Sequence, residues 1–412
     1  MGDNMIITAI TPINIGIIKY FDDPYSSSYY PINDYITATL DSSIICSKAS
    51  VCARKDFTDN EFWLNGKREA NQMSFYLNEI KYQAATHRTV SVEFLNRKVH
   101  IACENNFLPS PGASSFAAGF IAIITALCKL YKISNNNISD GCMCTESIMQ
   151  NCDGFVLRRE LTPTKYFKGK LIADGKHWPD LRVLILVVKN PRKQISTERI
   201  SGIVKKSHYM NYRLNESLPA NLKAIMKAIK QRDFHTFAET AMTDNNQYHS
   251  INTDTYPPRA YKTEVSHKIA EVIHNYNKIS MEIRAAYIFD TGPNATLFFL
   301  KKHAQEVISL IKHVFPTSKP DFVRGMEAPP DLTPEHFRNF PNMPMKRNRI
   351  KFAVYTKIGN LTVQLDKENH LLDNNGDIKV KSGEPSPSDE TIATLSDYTN
   401  DLGASLENIM RF

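Results

Sequence analysis

Nowhere does the chain hold the run of about 18 uninterrupted apolar residues that a membrane-spanning helix needs, so no span is expected. The N-terminus lacks the charged start, apolar centre and small-residue cleavage pattern of a secretory leader, and a cytoplasmic location is expected. Cysteine is scarce, with seven scattered residues, an odd number that fits reduced thiols and not a disulfide framework. Cys142, Cys144 and Cys152 do cluster in "GCMCTESIMQNC", but a zinc site needs a fourth ligand at suitable spacing and none lies nearby. No metal-binding residues are therefore assigned. The formal charge of +7 is spread along the chain. Its basic pieces, "KNPRKQ" and "VKKSHYMNYR", do not form a continuous tract with interleaved aromatics. That excludes a nucleic-acid interface and leaves a small anionic ligand or a solvated face. Walker A and Rossmann glycine patterns are both missing, and there is no internal repeat.

What is present is an ordinary globular composition, 42% hydrophobic and 23% charged, in a chain of 412 residues, long enough for two lobes. "MIITAITPINIGIIKY" is β-rich, and "YITATLDSSIICSKASVCA" alternates as paired strands do. "FWLNGKREA" places Asn65-Gly66 in the two-residue turn of a type I′ hairpin. "RTVSVEFLNRKVHIACENNF" predicts two further strands. "LPSPGASSFAAGFIAIITALCKLY" is a small-residue loop entering a long apolar helix, with Ser114 or Ser115 as N-cap. "LRVLILVV" is a strand buried on both faces. "ANLKAIMKAIKQRDFHTFAETAM" predicts one or two amphipathic helices and "EVSHKIAEVIHNYNK" another. "IRAAYIFD" and "TLFFLKK" are strands, "HAQEVISLIKHVF" is a helix, and "RIKFAVYTKIGNLTVQL" is strand material. The pattern indicates an α+β protein with lobes at 1–190 and 191–380, followed by a polar, acidic, Pro/Ser-rich tail at 381–412 that is expected to be flexible.

Two stretches carry chemistry. In "PSPGASSFAAG" small residues precede a helix, the geometry in which backbone N–H groups converge on a phosphate, or simply a helix cap. In "AAYIFDTGPNATLFFL" Asp290 ends an apolar strand just before Thr-Gly-Pro-Asn. Asp and Asn are ordinary turn residues there, because they satisfy their own backbone. The other reading is a general base held at a strand end.

Three ordered segments, "TPINIGIIKYF", "NNFLPSPGASSFAAGF" and "YIFDTGPNA", resemble the diphosphomevalonate decarboxylases of the GHMP kinase superfamily, animal members most of all. "FWLNGKRE", "HWPDLRVLILVV", "AMTDNNQYHSINTDTYPP" and "VYTKIG" extend the resemblance over roughly residues 5 to 380. It implies a GHMP-kinase-like two-lobed α+β fold. An N-terminal ribosomal-protein-like lobe and a C-terminal α/β-sandwich lobe would flank the active cleft. It also implies a homodimer and an ATP- and Mg²⁺-dependent decarboxylation of mevalonate diphosphate to isopentenyl diphosphate. By the same resemblance Asp290, Asn14 and Lys19 are catalytic, with Asp290 the carboxylate and Asn14 orienting it, and Tyr20, Ser196 and Thr197 contact substrate. Gly112, Ser114 and Ser115 fall in the ATP phosphate loop.

The departures concentrate on anion binding. Asp22 and Asp23 stand where the family has a glycine and a diphosphate-binding lysine, Gln72 where it has an arginine, and Ala113 and Phe116 replace a leucine and a serine of the loop. No lysine or arginine occurs between Lys132 and Arg158, where the family's arginine-bearing Ser-Gly-Ser-Ala-Cys-Arg stretch belongs. A charge-assisted hydrogen bond to phosphate contributes about 1.5–3 kcal/mol, so three lost contacts amount to on the order of 5 kcal/mol unless replaced. Arg192, Lys193 and Arg199 are nearby replacements in sequence. Two alternatives accompany the enzyme reading: a non-catalytic paralogue (a pseudoenzyme) acting as a binding or structural protein, and an enzyme with an altered substrate.

Overall fold

The structure, a computed structural model, describes residues 5–21, 31–69, 73–106, 115–133, 153–158, 169–189, 207–338, 340–341, 344–359 and 370–379, with backbone alone for 115–117. The N-terminal part contains β1 (Ile6–Pro12), β2 (Asn14–Ile18), β3 (Tyr35–Thr39), β4 (Cys46–Arg54), β5 (Glu61–Leu64), β6 (Lys67–Glu69), β7 (Lys98–Asn105), β8 (Phe155–Arg158) and β9 (Lys170–Ala173). One sheet runs β1-β4-β7-β5-β6 and a second β2-β3-β8-β9. The stretch read as paired strands therefore splits: β3 pairs with β2 and β8, while β4 pairs with β1 and β7. The hairpin expected at Asn65-Gly66 forms, both residues taking the positive φ (49° and 83°) that a type I′ turn requires.

Between them lie helices α1 (Ser74–Thr86), α2 (Val92–Leu95) and α3 (Ser115–Leu130). The first of the two strands expected in "RTVSVEFLNRKVHIACENNF" is instead α2, a single helical turn whose N-cap, Ser91, accepts a hydrogen bond from the Phe94 N–H at 3.2 Å. Helix α3 is apolar on every side because it lies buried against β1, β4 and β7. Its Gly119 approaches so closely that a Cβ there would meet Cys103 Sγ at 3.3 Å.

The third sheet contains β10 (Leu181–Val188), β11 (Ala285–Phe289), β12 (Ala295–Leu300), β13 (Val323–Gly325) and β14 (Ile350–Lys357), in the order β11-β12-β10-β14-β13. The aliphatic β10 is central, paired with β12 and β14. Helices α4 (His208–Tyr212), α5 (Leu218–Gln231), α6 (Phe234–Thr253), α7 (Glu264–Ser280) and α8 (Ala304–Val314) accompany this sheet, with a π-turn at Arg213–Ser217 joining α4 to α5. The long amphipathic stretch is two helices, because Arg232 takes a left-handed conformation (φ 58°) and Asp233 then caps α6. One buried cluster runs from Ile13, Ile17 and Leu157 of the second sheet through Leu184 and Phe298 of the third. Each such side chain contributes about 1.5–3 kcal/mol by leaving water, so the two sheets are held as one body. Among the described residues no helix is long and apolar enough to cross a membrane. Cys46, Cys52, Cys103 and Cys128 are free thiols, and burial pushes Cys103 and Cys128 up to about 12.

Candidate active site

Two strands from different sheets end at the same place. Lys19 follows β2, Asp290 follows β11, and Lys19 Nζ lies 3.6 Å from Asp290 Oδ1. The lysine side chain is 5% exposed and the carboxylate 33%, so the cation is enclosed while the acid faces outward. Alternation along β2 would put Lys19 on the face opposite Gly16. A register break between Gly16 and Ile18 reverses this: a Cβ on Gly16 would touch Lys19 Cδ at 3.7 Å. Lys19 thereby shares the face of Gly16 and of the buried Asn14.

Asp290 combines a turn hydrogen bond with an accessible carboxylate. Its Oδ1 accepts a hydrogen bond from the Thr291 N–H at 3.0 Å, as a turn residue does, yet a third of the side chain remains accessible. The turn itself is pinned from two sides. Asn294 Oδ1 accepts from the Val188 N–H at 2.9 Å, and Ser266 Oγ donates to the Pro293 carbonyl at 2.9 Å.

Helix α6 fixes both strand ends through adjacent residues. Asp244 Oδ2 accepts from the Lys19 N–H at 2.9 Å. Asn245 Oδ1 accepts from the Phe289 N–H at 3.0 Å and its Nδ2 donates to the Phe289 carbonyl at 2.6 Å. Strand β11 is an edge strand, and its outward backbone groups need partners. Asn245 supplies them at Phe289, and Asn277 of α7 does the same at Ala285. The Lys19 carbonyl accepts from Arg213 Nη2 at 2.8 Å and from Asn33 Nδ2 at 3.1 Å. Arg213 also grips Asp244 in two hydrogen bonds, 2.8 Å and 3.2 Å, with both side chains essentially buried. The two Nη atoms of Arg213 are thus engaged, while its Nε is buried without a partner among the described residues.

Sequence reasoning missed Arg213, Asp244 and Asn245. Arg213 closes the basic piece "VKKSHYMNYR", read as a surface or small-anion feature, but its anion is an internal carboxylate 31 residues away. The only signal was "TDNNQ" inside a helical stretch, polar residues on what proves to be a buried face.

A second group of side chains gathers around Phe289. His249 is buried, its ring centroid 6.3 Å from those of Phe289 and Tyr261. Burial, reinforced by the charges of Lys262 and Lys19, pushes His249 down to about 3, so its imidazole is neutral at ordinary pH. Burial, with the charge of Asp290, pushes the Tyr261 hydroxyl up. Lys262 Nζ sits 5.7 Å from the Phe289 ring centroid, and burial lowers its ammonium pKa.

The Tyr20 ring packs on Tyr35 at 4.4 Å. Ser115 begins α3, its side chain outside the description. Gly112, Ser114, Ser196 and Thr197 lie outside the described residues, as do Asp22, Asp23, Gln72, Ala113, Arg192, Lys193, Arg199, Cys142, Cys144, Cys152 and the 381–412 tail. The Phe116 side chain is likewise not described.

The diphosphomevalonate decarboxylase-like N-terminal domain family matches residues 11–141, and the mevalonate 5-diphosphate decarboxylase C-terminal domain family matches residues 183–361. The diphosphomevalonate decarboxylase of Danio rerio is 31% identical over 389 residues, covering 91% of this chain and 97% of that protein. The solved mevalonate diphosphate decarboxylase of Trypanosoma brucei superposes with a TM-score of 0.75 at 26% identity, over 89% of this chain and 99% of that one. A mevalonate diphosphate decarboxylase of Enterococcus faecalis, solved in a study of ATP binding mediated by mevalonate diphosphate, shares the fold at 17% identity. Its TM-score is 0.62, over 76% of this chain and 94% of that one. With both domains matched in order and a relative this similar along nearly its whole length, the chain belongs to the diphosphomevalonate decarboxylase family.

Proposed function

We propose that the protein catalyses the ATP-dependent decarboxylation of mevalonate 5-diphosphate to isopentenyl diphosphate, in the route to isoprenoids and sterols. The observation that carries this reading is the Lys19–Asp290 pair, an outward-facing carboxylate against an enclosed ammonium at 3.6 Å, with both backbones clamped by α6. A tertiary hydroxyl is a poor nucleophile, and a fixed carboxylate that orients it and accepts its proton contributes typically 10²–10⁴-fold. Lys19 balances the carboxylate's charge and holds it in place. Asn14, on the same face of β2, completes the polar floor.

Helix α3 fits a nucleotide phosphate: it begins at Ser115 and has no acidic residue in its first turn to oppose an anion. Gly112, Ser114 and Ser115 would hold the ATP phosphates, with Ser196, Thr197 and Tyr20 on the substrate side. Among the described residues no cluster of three His, Cys, Asp or Glu could hold a metal. When bound, ATP with Mg²⁺ supplies the phosphoryl group whose departure with CO₂ follows. A cytosolic homodimer accompanies the family reading. Asp22 and Asp23, and the lack of a lysine or arginine between Lys132 and Arg158, favour as a second reading a related substrate or a non-catalytic paralogue.

Isothermal titration of the purified protein with mevalonate diphosphate, with and without a non-hydrolysable ATP analogue and Mg²⁺, tests the proposal alongside measured phosphate and CO₂ release. Binding and turnover are expected. No binding of mevalonate diphosphate up to about 1 mM, a free energy near −4 kcal/mol, would rule the reading out.

A further inference from the structure

Lys262 stands immediately before Thr263, the N-cap of α7. The capping box ties this point down: the Thr263 N–H donates to Ser266 Oγ at 3.0 Å, and Ser266 Oγ in turn donates to the Pro293 carbonyl at 2.9 Å. The start of α7 is thus hydrogen-bonded to the turn that follows Asp290. From there the Lys262 ammonium reaches over the Phe289 ring, 5.7 Å from its centroid, one residue from the candidate base. No carboxylate lies within ion-pair distance of it among the described residues. A half-buried ammonium loses hydration, and a cation–π contact restores only part of that.

A neighbouring group is also short of a partner. His249 Nε2 is a buried atom without a hydrogen-bond partner among the described residues, while the Tyr261 hydroxyl lies against the Arg259 guanidinium. His249 and Tyr261 are 5% and 8% exposed, and the His249 ring adjoins the Phe289 ring that Lys262 covers. Among the described residues this corner therefore holds two ammonium groups, Lys19 and Lys262, and one buried imidazole nitrogen without a partner, while the Asp290 carboxylate is engaged with Lys19.

We propose that Lys262 is a substrate-binding residue that takes an oxyanion of the acidic substrate, a carboxylate or a phosphoryl oxygen, beside Asp290. The assignment rests on the reading of this site as one for an acidic small molecule. It supplies a cation from an element other than the segments where the family's cations are missing, and so accounts for the survival of the Asp290 site without them. Lys262 binds and orients; it takes no part in proton transfer.

The test uses two probes of one charge chemistry each, inorganic pyrophosphate and mevalonate, titrated into the full-length wild type, Lys262→Met and Lys262→Arg. One charge-assisted contact predicts an affinity about ten- to a hundredfold weaker in Lys262→Met for the probe that seats there. The other probe should be unchanged and Lys262→Arg should be largely restored. Loss for pyrophosphate assigns a phosphoryl oxygen, and loss for mevalonate a carboxylate. Equal affinities of wild type and Lys262→Met for both probes overturn the proposal, as does failure of the wild type to bind either probe up to about 10 mM. Turnover of mevalonate diphosphate separates the two readings. If KM is identical in wild type and Lys262→Met, Lys262 is wrong and the decarboxylase stands. If turnover is absent but probe affinity depends on Lys262, the decarboxylase is wrong and the anion site stands.

Discussion

Asp244 and Asn245, consecutive on α6, hold the backbones of Lys19, the site's cation, and of Phe289, the residue before its acid. A single rigid element thereby sets the spacing of two groups that come from different sheets. The arrangement makes α6 an alignment device as well as a structural helix. Removing either residue should affect geometry and stability together.

The Arg213–Asp244 pair is enclosed, so breaking it leaves an uncompensated charge. Arg213→Met is expected to cost about 3–5 kcal/mol in chemical denaturation. The double variant Arg213→Met/Asp244→Leu should recover much of that loss, because it leaves no lone charge behind. kcat, however, should stay low in both, since the Lys19 backbone loses its anchors. A double variant as unstable as the single one would show that the pair contributes through packing and not charge.

Asn245→Ala orphans the Phe289 N–H and carbonyl at an edge where water cannot easily replace them. The expected loss is about 2–4 kcal/mol, with a fall in kcat larger than any rise in KM. Asn245→Asp makes a sharper comparison, because it keeps the acceptor for the Phe289 N–H while setting a carboxylate against the carbonyl. It should fall below Asn245→Gln in thermal stability, and the reverse order would deny the two-bond geometry.

Much of this was legible in the chain. The alternation, the aliphatic run of β10 and the Asn65-Gly66 turn report local structure directly. The turn role of Asp290 was legible because an aspartate before Thr-Gly-Pro-Asn satisfies its own backbone. Strand partnership was not: alternation tells which face is buried, not which strand lies alongside, and β3 and β4 part into separate sheets. Short apolar runs are ambiguous too, and Ser91 tips Val92–Leu95 into a helical turn. Arg213 was hidden for a different reason. Its partners lie 31 and 194 residues away, so a buried clamp looked like a basic surface patch.

Asp290→Asn preserves shape and the hydrogen bond from Thr291 while removing the base. It should lower kcat by at least about a hundredfold with little change in substrate affinity. Lys19→Met should reduce both, because the enclosed ammonium orders the carboxylate and adds positive charge for an acidic substrate. Unaltered turnover in Asp290→Asn would remove it from the proton-transfer role.

His249 makes the fold acid-sensitive. In the unfolded chain its pKa is about 6.5; in the folded protein burial, together with Lys262, Lys19 and His267, pushes it down to about 3. Above pH 6.5 neither state holds the proton and the residue adds no pH dependence. Below it the unfolded chain takes up a proton that the folded protein refuses, so stability falls by about 1.4 kcal/mol per pH unit until the folded pKa is reached. Between pH 7 and pH 5 this predicts a loss of about 2 kcal/mol from this one residue. His249→Phe keeps an apolar ring in the space between Phe289 and Tyr261 and cannot titrate. Denaturant titrations at the two pH values should therefore show a pH penalty smaller by about 2 kcal/mol in His249→Phe than in the wild type. If both proteins lose the same stability, the acid sensitivity belongs to other groups and His249 must find a way to accept its proton in the folded state.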